Sequence, residues 1–216
     1  MNQTSRIKSY CDKFKGTVFD LNYLSKTTFK DIPIGNLRKY ATRLVEEGVL
    51  FQIAKGIFII GSLSCSYDEL IINHYLFSFG RVPIGMATGR YLLFLEGIID
   101  DEPKIKTIMS KNTFLNRSIG NILINYVEND YSSKCGLLLK ILELIRCQSI
   151  LNKKETMELS VKLLGYLSEY NDSYFEHHEI CHPRSVYIKL ANLLKSMHIS
   201  NRVMEIYETK KDIQHY

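Results

Sequence analysis

The sequence has no tryptophan, and only four prolines and twelve glycines among 216 residues. So little Pro and Gly leaves small scope for a disordered tail, and no long Pro/Gly/Ser linker divides the chain. Long hydrophobic runs are missing too. LLFLEGII and GIFIIG break off well before the roughly 18 apolar residues that a bilayer crossing takes. The opening MNQTSRIKSYCDKF lacks the continuous apolar core of a secretory leader, so a cytoplasmic location is expected. The five cysteines, Cys11, Cys65, Cys135, Cys147 and Cys181, include no C-x-x-C pair. An odd, scattered set in a reducing compartment reads as free thiols, mostly small buried hydrophobes.

Enzyme signatures are also scarce. There is no phosphate-binding G-x-x-x-x-G-K-[ST], no G-x-S-x-G nucleophile elbow and no dinucleotide fingerprint. Asp100-Asp101 stands before Pro103 in a turn, a solvated place rather than a metal-holding strand. One catalytic pattern does occur: His178-Glu179-Ile180-Cys181-His182 satisfies H-E-x-x-H. That motif works on a helix, where two histidines four apart face one zinc and the glutamate activates water. Pro183 follows directly and disfavours helix at the preceding residue. A third ligand is needed, and Glu205 lies at a possible distance but in an unremarkable helical stretch. The expectation is a polar helix end, with a zinc hydrolase, or metal held by His177, His178, Cys181 and His182, as minor alternatives. No enzyme and no cofactor is expected. His74, alone on an apolar helix face, reads as a core histidine. Gly85 and Gly89 read as sites of close backbone packing.

What the chain does have is charge in one place. Residues 1–60 hold ten Lys or Arg against five Asp or Glu, whereas residues 61–216 hold eighteen of each. A basic module beside a neutral region is the footprint of a phosphate-backbone binder.

Within that module the periodicity predicts a first helix over 3–14, with Ile7, Tyr10, Cys11 and Phe14 on one face. Gly16 stops it, and Thr17-Val18-Phe19 forms a short strand. Asp20 caps a second short helix that buries Leu21 and Leu24. A third helix, with Asp31 as its cap and Pro33 in its first turn, lays Ile34, Leu37, Ala41, Leu44 and Val45 on the core. Gly48 ends it. Its other side displays Asn36, Arg38, Lys39, Thr42 and Arg43, and the hairpin VLFQIAKGIFII turns at Lys55-Gly56.

Helix, strand, helix, helix and hairpin is the order of a winged helix-turn-helix over residues 1–61. A major groove about 12 Å wide admits one helix, and Asn and Arg can then reach base edges in bidentate fashion. Lys39 and Lys55 suit phosphates. The same pattern also serves modules that bind protein and never touch DNA.

The stretch TVFDLNYL…IPIGNLRKYATRLVEEGVLFQIAKGIFII resembles the N-terminal domain of AbiE-type antitoxins, of type IV toxin–antitoxin systems, and their uncharacterised relatives. Arg43-Leu44…Gly48 and Lys55-Gly56-Ile57-Phe58 carry the family's R-L-x-x-x-G and K/R-G-x-Y/F. Further on, IGMATGRYLLFLEGIIDDEPKIKTIMSKNT and HPRSVYIKLANLL are similar to its second segment and late helix. The resemblance implies a repressor of its own operon, a homodimer on an inverted repeat of double-stranded DNA. It also implies protection against a co-encoded nucleotidyltransferase-like toxin without a stable complex.

Residues 62–216 read as a separate α+β domain, for dimerisation or antitoxin activity. Helices are expected over 67–79, ended by Gly80 and Pro83, and over 87–96, ended by Gly97. Strands are expected over 104–109 and 121–127, then a helical layer over 133–148, 153–170 and 184–197. The expected fold class is therefore α+β and mostly helical, the two regions packed together with a boundary near Gly61–Ser66.

Overall fold

The computed structural model describes residues 3–62, 66–78 and 81–214, the side chains of Ser133 and Gln214 excepted. The fold is α+β and mostly helical. Cys65 and Gly80 lie outside the described residues.

The basic region begins with α1 (Gln3–Lys13), which buries Ile7 and Cys11 and leaves Tyr10 and Phe14 half-buried. Gly16 follows at φ +76, a left-handed turn that costs a glycine little. Strand β1 (Val18–Asp20) leads into α2 (Leu21–Lys26), and α3 (Ile34–Glu46) is followed by the hairpin of β2 (Leu50–Ala54) and β3 (Ile57–Ile60). Gly48 and Gly56 take positive φ where α3 ends and where the hairpin turns. The sheet runs β1-β3-β2, all antiparallel. Its central strand β3 is buried along its whole length, which is why Ile57-Phe58-Ile59-Ile60 reads as an unbroken apolar run.

Strand periodicity then divides the sheet between two cores. Phe19, Phe58 and Ile60 pack with Ile7, Leu24, Leu37 and Leu44 of the basic region. Val18 and Ile57 join the core of the remaining chain. Asp20 shares the face of Val18, and it is 1% exposed.

The rest of the chain begins with α4 (Tyr67–Leu76), capped by Ser66, whose hydroxyl accepts from Glu69 N at 3.2 Å. A four-stranded sheet follows in the order β4-β5-β7-β6, built from β4 (Gly85–Thr88), β5 (Lys106–Ser110), β6 (Arg117–Ile119) and β7 (Ile122–Tyr126). Strands β5 and β7 are parallel; the other pairs are antiparallel. Helix α5 (Gly89–Leu95) sits between β4 and β5 in the chain. The helical layer is α6 (Ser133–Cys147), α7 (Lys153–Leu167), α8 (Arg184–Ser196) and α9 (Val203–Gln214). Leu138, Ile141, Leu142 and Ile145 of α6 lie at its centre, against Leu163 of α7 and Leu190 of α8.

Several local expectations need correction. The helix expected over 87–96 begins only at Gly89, because Gly85–Thr88 pairs with Thr107–Ser110 as a sheet edge. Gly85 is required by space: a Cβ there would collide with the carbonyls of Tyr75 and Met109. Gly89 is not packed closely; its φ of +58 is the reason for glycine. Helix α4 stops at Leu76, before the expected end. Pro33, rather than Asp31, stands at the N-cap of α3, without a side-chain cap. Asp31 is two residues too early and is held instead by Arg6 at 2.6 Å. Ile34 and Val45 are exposed, so only Leu37, Ala41 and Leu44 of the expected stripe reach the core.

A buried three-residue cluster joins the two cores. The Asp20 carboxylate accepts from Arg117 Nη1 at 2.6 Å and from the Tyr75 hydroxyl at 2.8 Å, and Arg117 also donates to Tyr75 Oη at 2.9 Å. Its other oxygen caps α2, accepting from Asn22 N at 3.0 Å and Tyr23 N at 3.2 Å. Every lone pair in use is therefore matched. Burial, reinforced by the Asp20 charge, pushes the Tyr75 hydroxyl pKa far up, so Tyr75 stays a donor. Removing one partner of such a group leaves a buried charge uncompensated. Arg117→Ala is expected to cost about 3–5 kcal/mol in urea unfolding; a loss below about 1 kcal/mol would show that water replaces the guanidinium.

Candidate nucleic-acid interface

The six residues singled out on the basic module all lie on its surface. Asn36, Arg38, Lys39, Thr42 and Arg43 are exposed on α3, and Lys55 is exposed at the hairpin turn. The helix holds them there because Leu37, Ala41 and Leu44 fix the opposite side in the core. At 3.6 residues per turn, Lys39 points directly away from that core, flanked by Thr42 on one side and by Asn36 and Arg43 on the other. Arg38 lies at the edge, beside exposed Ile34 and Val45. The Thr42 hydroxyl donates to the Arg38 carbonyl at 3.1 Å, which leaves its oxygen as an acceptor.

Pairing decides which charges are available. Four of the five carboxylates of residues 1–60 are engaged: Asp12 with Lys15, Asp20 with Arg117, Asp31 with Arg6 and Glu47 with Lys8. Lys13 and Lys26 rest over the rings of Phe14 and Phe114. Among the described residues, Arg38, Lys39, Arg43 and Lys55 form no ion pair, and Glu46 is the carboxylate left over. Glu46 is in the last turn of α3. The face is thus positive from Arg38 to Arg43 and at the hairpin tip, and carries one negative charge, Glu46, at its far end. Unpaired, solvated cations lose no intramolecular partner when a phosphate displaces their counterions.

The residue missed from sequence is Arg117, whose guanidinium neutralises Asp20 from ninety-seven positions away. Nothing local marks it; the buried acidic cap at Asp20 was the half of the pair that could be read. Phe114 was missed as well. It stacks on Tyr23 at a centroid distance of 6.2 Å and lies under Lys26, closing a small cleft lined by Asp20, Ser25, Ile34 and Arg117 beside the start of α3.

The H-E-x-x-H segment lies outside any helix and is not an exposed polar helix end: His178 and His182 are both buried. His178 Nε2 is 2.8 Å from Tyr187 Oη, and its Nδ1 has no partner among the described residues. His182 Nε2 is 3.3 Å from Glu143 Oε2 and Nδ1 is 3.3 Å from Cys181 Sγ. Glu179 points its backbone N–H at Asn129. The two rings therefore serve different partners, and among the described residues no group of three ligating side chains is placed to hold a metal ion. Burial pushes the Glu143 carboxyl up, but hydrogen bonds from Arg146, His182 and the Gly89 N–H outweigh it and hold it at about 2. His74 is half-buried, with Asn112 Nδ2 3.4 Å from its Nε2. Of the cysteines, Cys11, Cys135 and Cys147 are buried thiols, and Cys181 is exposed.

No protein-family model matches the chain, and no curated protein sequence matches it. Among the described residues no helix is long and apolar enough to cross a membrane.

Burial holds His74 down at about 4 and His178 at about 3, against 6.5 when solvated. Folded-state values below the unfolded ones mean that the unfolded chain takes up these protons first as pH falls. Stability is then full above about pH 6.5 and declines toward pH 4. Each such histidine contributes a slope of up to about 1.4 kcal/mol per pH unit. Urea unfolding at pH 7, 6 and 5 should show this decline, and His178→Gln should remove about one proton's share of it. An unchanged slope in the variant would mean that His178 titrates normally in the fold.

Proposed function

We propose that the chain is a DNA-binding transcription regulator in which residues 1–61 act as a winged helix-turn-helix and residues 62–216 as a second, α+β domain. The observation that carries this reading is the concentration of unpaired cations, Arg38, Lys39, Arg43 and Lys55, on α3 and the adjoining hairpin turn. The order α1-β1-α2-α3-β2-β3, with a three-stranded antiparallel sheet, supports it. In this reading α3 enters the major groove. Arg43, Arg38 and Asn36 reach base edges, Thr42 offers its oxygen, and Lys39 takes phosphate. Lys55 at the tip of the wing touches phosphate or the neighbouring minor groove. Glu46 keeps the C-terminal end of α3 off the backbone, so the reading is done by residues 36–43.

The finer proposal rests on the family resemblance: an AbiE-type antitoxin that represses its own operon in the cytoplasm and counters a nucleotidyltransferase-like toxin. A second reading, a module that binds protein without DNA, is favoured by the apolar surface that Ile34, Val45 and 49%-exposed Phe51 leave open on the same module. A zinc hydrolase lacks the helix that its two histidines need.

The deciding experiment is a titration against the DNA upstream of the chain's own gene, over a range of salt, with unrelated DNA as control. Tight, selective, salt-sensitive binding is expected. Arg43→Ala should cost about 1–3 kcal/mol on the preferred site and relax its selectivity. Lys55→Ala should weaken all sequences alike and lower the salt slope by about one. Binding to neither DNA, together with a defined protein complex, would replace this reading with the second. Repression of the upstream promoter and rescue from the neighbouring gene's product test the finer proposal.

A further inference from the structure

Helix α7 has two apolar sides, and the fold uses one. Leu159, Leu163 and Leu167 face the core. Met157, Val161 and Leu164 are 65%, 68% and 53% exposed. They follow the spacing i, i+4, i+7, so they form one stripe on the solvent side. Ile150, 53% exposed, precedes Met157 by seven residues. Lys154 and Ser168 continue the same alternating four- and three-residue spacing at the two ends, as in a helix–helix seam.

The charges beside this stripe indicate what covers it. Glu158 and Lys162 lie on one flank of α7, with Lys154 at the end of the stripe in its first turn and Glu169 in the turn just past its end, and the four signs alternate along the chain. All four residues are exposed, and Glu158, Lys162 and Glu169 are in no ion pair among the described residues. Lys154 has only a 3.7 Å contact with Asp100, itself highly exposed. A second α7 laid antiparallel, with the two-fold axis near Val161, sets Glu158 against Lys162 and Lys154 against Glu169, each pair occurring twice. A parallel two-fold pair would set this flank against the opposite one, so that these charges would not meet. Antiparallel helices also oppose their macrodipoles favourably. Gly165 lies on this flank and opens a shallow groove with Leu137, Val161 and Tyr166. Apart from its chain neighbours and the nearby backbone of α7, none of the described residues comes within 4 Å of where its Cβ would be. Gly165 stands in the last turn of α7, beside open space into which a side chain from a second helix could reach.

We infer that the exposed face of α7 is a self-association surface, on which a second copy of this chain packs its own α7 antiparallel about Val161. The inference uses no part of the DNA-binding reading. A single helix pair is a small interface, so it gives a reversible monomer–dimer equilibrium.

Sedimentation equilibrium of the full chain without DNA, over a wide concentration range, tests it. The mass of the wild type should rise from monomer to dimer, and Val161→Glu should stay monomeric with an unchanged circular dichroism spectrum. Glu158→Lys faces lysine with lysine at two places and should raise the dissociation constant about tenfold. The double variant Glu158→Lys, Lys162→Glu restores opposite charges across that pair with the signs exchanged, leaves the Lys154 and Glu169 pair intact, and should recover wild-type association. Recovery separates a specific antiparallel pair from general stickiness. A wild type that remains monomeric overturns the inference and leaves the stripe to a different protein. A dimer indifferent to Val161→Glu, or a double variant that does not recover, overturns it as well.

Discussion

The carboxylate of Asp20 is where the two halves of the structure depend on each other. One oxygen closes the N-terminus of α2, and the other holds the Arg117 guanidinium and the Tyr75 hydroxyl. A buried carboxylate is tolerated only when its charge and lone pairs are matched. Here the matches come from three places far apart in sequence: the next turn of chain, the end of α4 and the start of β6. The surrounding apolar packing has the same divided allegiance. Phe19 goes to one core and Val18 to the other, so β1 belongs equally to both.

The same pair shapes the surface charge. Arg117 neutralises Asp20 from outside the basic region, and Lys15, Arg6 and Lys8 absorb three further carboxylates. The positive face of α3 and the hairpin therefore arises by subtraction. It consists of the cations for which the fold supplies no anion. Total charge of the first sixty residues is a poor guide to that result, since it counts Lys8 and Lys39 alike. The distinction between them is a matter of who stands opposite.

Legibility followed how local the physics was. The stops at Gly16 and Gly48, the cap at Asp20 and the Lys55-Gly56 turn depend on neighbouring backbone alone, and each was readable. So was the split of α3 into buried Leu37, Ala41 and Leu44 and a polar face. Misreadings came where distant chain competed. Met86-Ala87-Thr88 suits a helix start by composition, but the free edge of β5 claims it as a strand. Asp31 is a good cap residue that Arg6 had already engaged. Ile34 and Val45 have the right period but sit at the rim. Arg117 and Phe114 lie in a stretch with no motif of its own, and they matter because of what the fold brings against them. The outer stripe of α7 was invisible for a related reason. Periodicity shows that a helix has apolar sides, and only the assembled layer shows which one remains uncovered.

The shared strand sets a limit on modularity. Residues 1–61, taken alone, would expose Val18 and Ile57 and leave Asp20 without its cation and its tyrosine. The N-terminal region is thus one wall of a common structure, joined to the second core through β1. Displacing Arg117 removes a partner of the same carboxylate that caps the first turn of α2. The cap of α2 and the seat of Arg117 are therefore coupled, and that coupling energy acts equally in both directions.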